Sequence, residues 1–248
     1  MSVVDLLLTR PSKLLRPLLP GTEWVVPGPS ATSSGRPVIY LTFDDGPIPE
    51  QTPWVLEQLA AYQARATFFC VGQNLERYPE IARQALAAGH RLGNHTQYHR
   101  SAWASRRAEY LAGVAACQRL LASLDPAFPL VGEKPLFRPP YGRLTWPLLA
   151  ALRPAYRVIM WSVLTRDYDA DLAPATCLRL ALAATRPGDI LVFHDSQGRP
   201  QYALRAAAPV AAFRRSAVCV SNALTWFRNR CPVTADRLTK CAAAMNQR

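Results

Sequence analysis

The chain has 248 residues, half of them hydrophobic, a composition that suits one large α/β domain or two small ones. No stretch is long and apolar enough to span a bilayer: the N-terminal leucines are broken by Arg10, Pro11, Lys13 and Arg16, and they lack the basic, apolar, small-residue order of a secretory leader. The net charge of +12 is uneven, because residues 198–248 hold nine of the 29 basic side chains and a single acid, Asp236, so the excess belongs to the tail and no nucleic-acid partner is expected.

Residues 1–36 are rich in Pro and Ser around Pro27-Gly28-Pro29-Ser30 and read as a lead-in arm. The first strand is expected over 38–43, ending abruptly in Asp44-Asp45-Gly46-Pro47. Neighbouring side chains in a strand point to opposite faces, so two adjacent carboxylates serve one site only where the backbone leaves the strand, as Gly46-Pro47 encourages. Paired acids at the mouth of a buried strand are costly unless they hold a cation or move protons. Thr52-Pro53 then opens a helix, with Thr52 as N-cap and Val55, Leu56 and Leu59 as its apolar face. A second buried strand is expected over 66–71, a helix over 79–88 stopped by Gly89, and a short strand over 91–93 that runs into Asn94-His95-Thr96-Gln97-Tyr98-His99.

Residues 105–124 carry Leu111, Val114, Cys117, Leu121 and Leu124 at helical spacing. Leu136-Phe137 leads into Arg138-Pro139-Pro140-Tyr141-Gly142, and Thr145 caps a further helix. A strand over 158–163 precedes Thr165-Arg166-Asp167-Tyr168-Asp169, a helix follows Pro174, and Ile190-Leu191-Val192-Phe193 ends at His194-Asp195. Strand and helix alternate, and the strands are continuously hydrophobic, which predicts a parallel sheet buried on both faces. Every polar cluster follows a strand. Five clusters from five strands converge only if the sheet curls around a common axis, with the site at the C-terminal strand ends. An open doubly wound sheet would gather two or three. The expected fold is therefore α/β, a distorted (β/α) barrel of about seven parallel strands, incomplete at its C-terminus if the tail does not finish it.

Cys70, Cys117, Cys177, Cys219, Cys231 and Cys241 form no close CxxC pair, so neither a zinc ribbon nor a redox motif is indicated. Cys70 closes an apolar run and reads as a buried thiol, which fits a reducing compartment. His95 and His99, at i and i+4, would share one face of a helical turn. Two imidazoles and the carboxylate of Asp45 make a three-ligand set that leaves a coordination position open. His90, beside Gly89, reads as a helix C-terminal cap or a solvated side chain.

The order of these clusters resembles the polysaccharide deacetylases, carbohydrate esterase family four, over about residues 39–195. Thr42-Phe43-Asp44-Asp45-Gly46-Pro47, His95-Thr96-Gln97-Tyr98-His99, Arg138-Pro139-Pro140-Tyr141-Gly142 and Leu191-Val192-Phe193-His194-Asp195 are similar to that family's first, second, third and fifth motifs. The resemblance implies a distorted barrel and metal-dependent removal of acetyl groups from an acetylated glycan. It implies a divalent metal, zinc first and cobalt, nickel or manganese as alternatives, held by Asp45, His95 and His99. Asp44 would be the general base, oriented by Arg138, and His194 the general acid. The backbone N–H of Tyr141 would help to hold the oxyanion, and Leu191 would line a pocket for the acetyl methyl. These roles suit the chemistry: a divalent metal lowers the pKa of water and polarises a carbonyl, and an amine leaves poorly without a proton.

The fourth motif departs from the family pattern. Trp161-Ser162-Val163-Leu164-Thr165-Arg166-Asp167-Tyr168 has Leu164 where an Asp is common and Tyr168 where a Trp is usual. Support for Arg138 and His194 then falls partly to Asp167, with weaker tuning of His194 expected. Trp103 and Tyr168 follow motif positions and are candidates to stack on a sugar, whereas Trp161 reads as core. The domain organisation expected is an arm over 1–36, a catalytic domain over 37–197, and an atypical basic tail over 198–248. That tail is either a true basic extension or the end of the same domain read out of frame. The leading function is a sugar N-deacetylase, a hydrolase of non-peptide carbon–nitrogen bonds. The alternatives are a polysaccharide O-acetyl esterase and a catalytically silent glycan-binding barrel. With no leader and no membrane span, the expected location is cytoplasmic or peripheral to the cell envelope; the sequence leaves the oligomeric state open.

Overall fold

Val38–Asp44 (β1) is buried along its whole length and takes the middle of the sheet. The computed structural model describes residues 9–10, 16–26, 37–125, 133–169 and 171–195, with the backbone of Cys219–Ser221. After β1 come Gln51–Ala61 (α1), Thr67–Cys70 (β2), Gly72–Arg77 (α2), Pro79–Ala87 (α3), Arg91–Asn94 (β3), Arg107–Leu124 (α4), Leu136–Phe137 (β4), Trp146–Leu152 (α5), Arg157–Val158 (β5), Val163–Leu164 (β6), Pro174–Ala184 (α6) and Ile190–His194 (β7). The sheet runs β5-β4-β3-β2-β1-β7-β6, and every neighbouring pair is parallel. Parallel neighbours need crossover connections, which the helices supply while covering the outer face.

The two ends of that order, β5 and β6, are consecutive in the chain. One run of residues, 157–164, thus pairs with β4 at its start and with β7 at its end. The sheet curls into a distorted, incomplete (β/α) barrel. The single strand expected over 158–163 is broken because the carbonyls of Ile159 and Met160 accept hydrogen bonds from the buried guanidinium of Arg138, at 3.3 and 2.9 Å. Glu23 of the N-terminal arm bridges to Ile159 across the gap.

Alternation along β1 and β7 divides the core. Ile39, Leu41, Phe43, Leu191 and Phe193 join the cluster under α1, α3 and α4, where Phe43 stacks on Phe68 and Phe193 at 5.2 and 5.6 Å. Val38, Tyr40 and Ile190 join Phe69, Leu136 and Ile159 in the inner cluster. Each such side chain contributes roughly 1.5–3 kcal/mol on full burial. The described part of the arm packs onto this frame: Trp24 is buried, Arg10 pairs with Asp189 at 2.8 Å, and Arg157 pairs with Glu23 at 2.6 Å.

Two local expectations are corrected. Thr52 lies inside α1 and does not cap it; its hydroxyl accepts from the Ile48 N–H and donates to Asp195. His90 is buried, not solvated: its Nδ1 accepts from the Ala66 N–H at 3.1 Å and its ring meets Phe68 edge-on. Beyond residue 197, Cys219–Ser221 (β8) pairs in parallel with the start of β1. The rest of the tail, with both readings of it, lies outside the described residues.

Candidate active site

The C-terminal ends of the strands carry the polar clusters. In the β1–β7 register, Asp44 pairs with His194, so the two side chains share one face of the sheet. Asp45 follows with a φ of 87°, outside the strand region. That turn lets the adjacent carboxylates reach one site, where a regular strand would send Asp45 to the other face. The turn is fixed by its neighbours: the Asp45 N–H donates to the Phe69 carbonyl, Asn74 Nδ2 donates to the Asp45 carbonyl, and the Gly46 N–H donates to Asp195 Oδ1.

His95 and His99 lie on an irregular loop after β3 rather than on the helical turn expected. Thr96 and His99 adopt φ of 66° and 53°, and these left-handed residues bring the rings to 5.0 Å between centroids. His95 Nδ1 donates to the Arg138 carbonyl at 2.8 Å, which fixes the tautomer with a bare Nε2 facing inward. Burial lowers the His95 pKa to about 4, so it is neutral. Asp45 Oδ1 stands 3.6 Å from His95 Nε2 and 3.1 Å from His99 Nε2, yet it is buried without a hydrogen-bond partner. Burial works against its charge, but His99, His194 and His95 hold the carboxyl well below the usual range. Among the described residues, these three form the one group with ligand atoms within 4.8 Å of one another. An orphaned anionic oxygen facing two imidazole nitrogens is what a bound divalent cation would complete, so the residues fit the metal that the family implies.

Arg138, fully buried, follows β4. Its Nη1 donates to Asp44 Oδ1 at 2.6 Å and to Thr42 Oγ1 at 2.7 Å, and its guanidinium lies 4.1 Å from the Phe69 ring centre. Burial lowers its pKa while Asp44 opposes the shift. Across the site, His194 Nδ1 lies 2.8 Å from Asp167 Oδ1, and the His194 N–H donates to Asp167 Oδ2 at 2.6 Å. Thr165 Oγ1 donates to the same carboxylate at 3.0 Å. Burial disfavours the imidazolium, but Asp167, with Asp45 and Asp44 beyond it, raises the His194 pKa to about 10. Asp167 therefore makes both carboxylate hydrogen bonds to His194, and Arg138 is held by Thr42, Asp44 and two carbonyls.

Tyr141 has a φ of 60° in the turn Pro140–Gly142, and its exposed ring lies 4.6 Å from that of His99. Trp103 and Tyr168 are exposed; Tyr168 meets His194 edge-on at 5.3 Å, and the Arg143 guanidinium lies between Trp103 (4.9 Å) and Tyr141 (5.6 Å). Trp161 is half-buried and lies 5.8 Å from the Arg138 guanidinium. Leu191 does not line the site: it is fully buried in the outer cluster, on the opposite strand face from His194. Val192, two residues before His194, takes the site face.

Sequence reasoning missed Thr42, Asn94, Thr52 and Asp195. Thr42 sits two residues before Asp44, on the same strand face, and that period was the available signal. Asn94 donates to the Val114 carbonyl and accepts from the Thr96 N–H, anchoring the histidine loop to α4.

The family described as polysaccharide deacetylase matches residues 31–155. A chitooligosaccharide deacetylase of a Bradyrhizobium species is 37% identical over 164 residues, 65% of this chain and 72% of that protein. A peptidoglycan-N-acetylglucosamine deacetylase of Bacillus cereus is 33% identical over 166 residues, 64% of this chain, and the match spans little more than half of that longer protein (56%). The structure of a peptidoglycan deacetylase of Bacillus subtilis superposes with a TM-score of 0.67 at 25% identity, over 85% of this chain and 94% of that one.

Proposed function

Because the chain belongs to the polysaccharide deacetylase family, we propose that it hydrolyses the N-acetyl groups of a glycan built on N-acetylglucosamine, with Asp44 as general base and His194 as general acid. The observation that carries this reading is the convergence of Asp45, His95 and His99 beside the buried Asp44–Arg138 pair. Asp45, His95 and His99 would hold a divalent metal, zinc being the first choice for one carboxylate and two imidazoles, and that metal supplies Lewis acidity toward the acetyl carbonyl and toward water.

The chain's own groups divide the remaining work. Arg138 binds Asp44 Oδ1 at 2.6 Å while Oδ2 faces His95 Nε2 at 3.9 Å, so Asp44 is placed to accept a proton from attacking water. The imidazolium of His194 carries the proton that the leaving amine requires, and Asp167 fixes its Nδ1 so that Nε2 is the donating atom. The Tyr141 backbone, turned into the left-handed region, presents its N–H as the oxyanion donor. Trp103, Tyr141 and Tyr168 form exposed aromatic faces around the opening, suited to sugar rings.

The test is acetate release from N-acetylglucosamine oligomers and from an O-acetylated polysaccharide, before and after chelation and with zinc, cobalt, nickel or manganese restored. Release from the N-acetyl substrate, abolished by chelation and by Asp44→Asn, is expected. Release from the O-acetyl substrate alone would establish the esterase, and none from either in folded, metal-loaded protein would favour the silent glycan-binding barrel over both enzymes.

A further inference from the structure

Arg138 is held from behind by two carbonyls, those of Ile159 and Met160, at 3.3 and 2.9 Å. Both lie where the chain has left β5 and has not yet joined β6. The Ile159 N–H donates to the Phe137 carbonyl of β4 at 2.8 Å, and the Ser162 N–H donates to the Ile190 carbonyl of β7 at 3.0 Å. The Met160 N–H, between them, donates instead to the Glu23 carbonyl of the N-terminal arm, at 2.7 Å. The Glu23 N–H in turn donates to the Val158 carbonyl at 2.8 Å. Glu23 therefore brackets Ile159 as a neighbouring parallel strand would, through a single-residue bridge.

Side chains keep that bridge in place. The Glu23 carboxylate accepts two hydrogen bonds from Arg157, Nε to Oε1 at 2.8 Å and Nη2 to Oε2 at 2.6 Å, a fork that fixes direction as well as distance. Trp24 is buried, and its Nε1–H donates to Thr22 Oγ1 at 2.7 Å. The Val26 N–H donates to the Gly188 carbonyl just before β7 at 3.0 Å, and Val26 packs on the inner cluster that contains Ile159. Residues 22–26 thus reach from the segment after β5 to the approach to β7.

We propose that Glu23 is a positioning residue: its backbone holds Ile159 and Met160 so that their carbonyls fix the Arg138 guanidinium, and with it the carboxylate of Asp44. A guanidinium is rigid and planar, so the acceptors on Nε and Nη2 set where Nη1 points, and Nη1 holds Asp44 Oδ1 at 2.6 Å. Met160 is buried, and a buried amide that loses its acceptor finds another only by moving. Loosening the arm therefore shifts the carbonyl that Arg138 uses. The link from Asp44 to turnover rests on the deacetylase reading above; the link from Glu23 to Arg138 does not.

Glu23→Pro removes the N–H donated to Val158 and constrains the bridging backbone, whereas Arg157→Gln opens the side-chain fork and leaves the backbone untouched. Leu59→Ala, which truncates a core side chain of α1, is the control for lost stability alone. All three are made in the full, zinc-loaded chain and checked for folding by circular dichroism. Solvent exchange of the Arg138 Nε–H is followed by proton–nitrogen NMR, the signal being assigned by its loss in Arg138→Lys. Acetate release from the N-acetylglucosamine tetramer gives kcat and KM. Exchange is expected to be about tenfold faster in Glu23→Pro and about threefold faster in Arg157→Gln, with kcat lower by similar factors and KM little changed, as small misplacements of a catalytic group produce. Leu59→Ala should match wild type in both readouts. Exchange as slow as wild type in both arm variants, or equally fast in Leu59→Ala, would overturn the proposal, as would faster exchange with unchanged kcat. Should Glu23→Pro not fold, Arg157→Gln decides. Exchange needs no turnover, so a wild-type chain that releases no acetate refutes the deacetylase reading and leaves the hold of Glu23 on Arg138 to be decided by exchange.

Discussion

Nη1 of Arg138 lies 2.6 Å from Oδ1 of Asp44, with side-chain exposures of 0% and 5%. The same guanidinium also serves Thr42, Ile159 and Met160, so its planar fork supports Asp44, strand β1 and the broken strand that closes the barrel. Arg138→Lys keeps the charge but loses the fork. We expect kcat to fall at least a hundredfold with KM changed little. Arg138→Met leaves Asp44 buried without its counter-charge and should cost about 3–5 kcal/mol of stability in a urea titration. Unchanged stability in Arg138→Met would show that Asp44 is compensated elsewhere.

In the proposed reaction, Asp167 and His194 would set the alkaline side of the pH–rate profile. Burial alone would lower the His194 pKa, and the carboxylates raise it to about 10, so the imidazolium is retained through neutral pH and lost as pH rises through that value. Asp167→Asn removes the strongest opposing charge. The alkaline limb of kcat/KM should move to lower pH, and activity at pH 8 should fall about 10- to 100-fold, within the range of general-acid contributions. A limb that stays in place would assign it to another group.

Much of this site was legible because the chemistry sits at strand ends, where the hydrophobic runs stop. Asp44, Arg138 and His194 are the first charged or imidazole side chains after their apolar runs, and Asp45 and Asp167 follow within three residues. Leu191 came from the family resemblance, and alternation corrects it, since the residue sharing a face with His194 is two positions away, not three. The histidine pair was placed on a helical turn because i, i+4 spacing suits one; left-handed backbone at Thr96 and His99 brings about the same convergence without a helix. The part that Asp195 plays was not legible. Its partners, Gly46 and Thr52, are about 145 residues distant in the chain (separations of 149 and 143), and only the parallel pairing of β1 with β7 brings them together.

Through that pairing Asp195 supports the turn that carries Asp45, the proposed metal ligand. It is fully buried; Oδ1 accepts from the Gly46 N–H at 3.0 Å, Oδ2 accepts from Thr52 Oγ1 at 2.6 Å, and its own N–H donates to the Asp44 carbonyl at 3.1 Å. A Cβ on Gly46 would collide with this carboxylate. Asp195→Ala should weaken zinc binding about 10- to 100-fold, measured by competition with a chelating dye, the usual effect of removing a partner behind a ligand. Thr52→Ser should retain zinc affinity and Thr52→Val should lose part of it. Equal zinc affinity in Asp195→Ala and wild type would reduce Asp195 to packing.

His90 makes stability depend on pH in the opposite sense from His194. Burial, with a smaller effect of Arg65, lowers its pKa from 6.5 to about 4, and its Nδ1 must stay unprotonated to accept from the Ala66 N–H. The unfolded chain therefore binds the extra proton between pH 6.5 and 4 while the folded chain does not. Stability rises with pH across that window and is lost on acidification, by an amount on the order of 3 kcal/mol from this group. His90→Gln keeps an acceptor for Ala66 without a titrating ring. Its unfolding free energy should be lower than wild type at pH 7, and the gap should narrow as pH falls from 6.5 to 4. Asp195, raised by burial to about 7, works in the other direction, because its folded carboxyl holds a proton that the unfolded chain releases. Comparing wild type with His90→Gln at each pH cancels that contribution. A gap that does not change between pH 6.5 and 4 would mean that His90 titrates alike in the folded and unfolded chains.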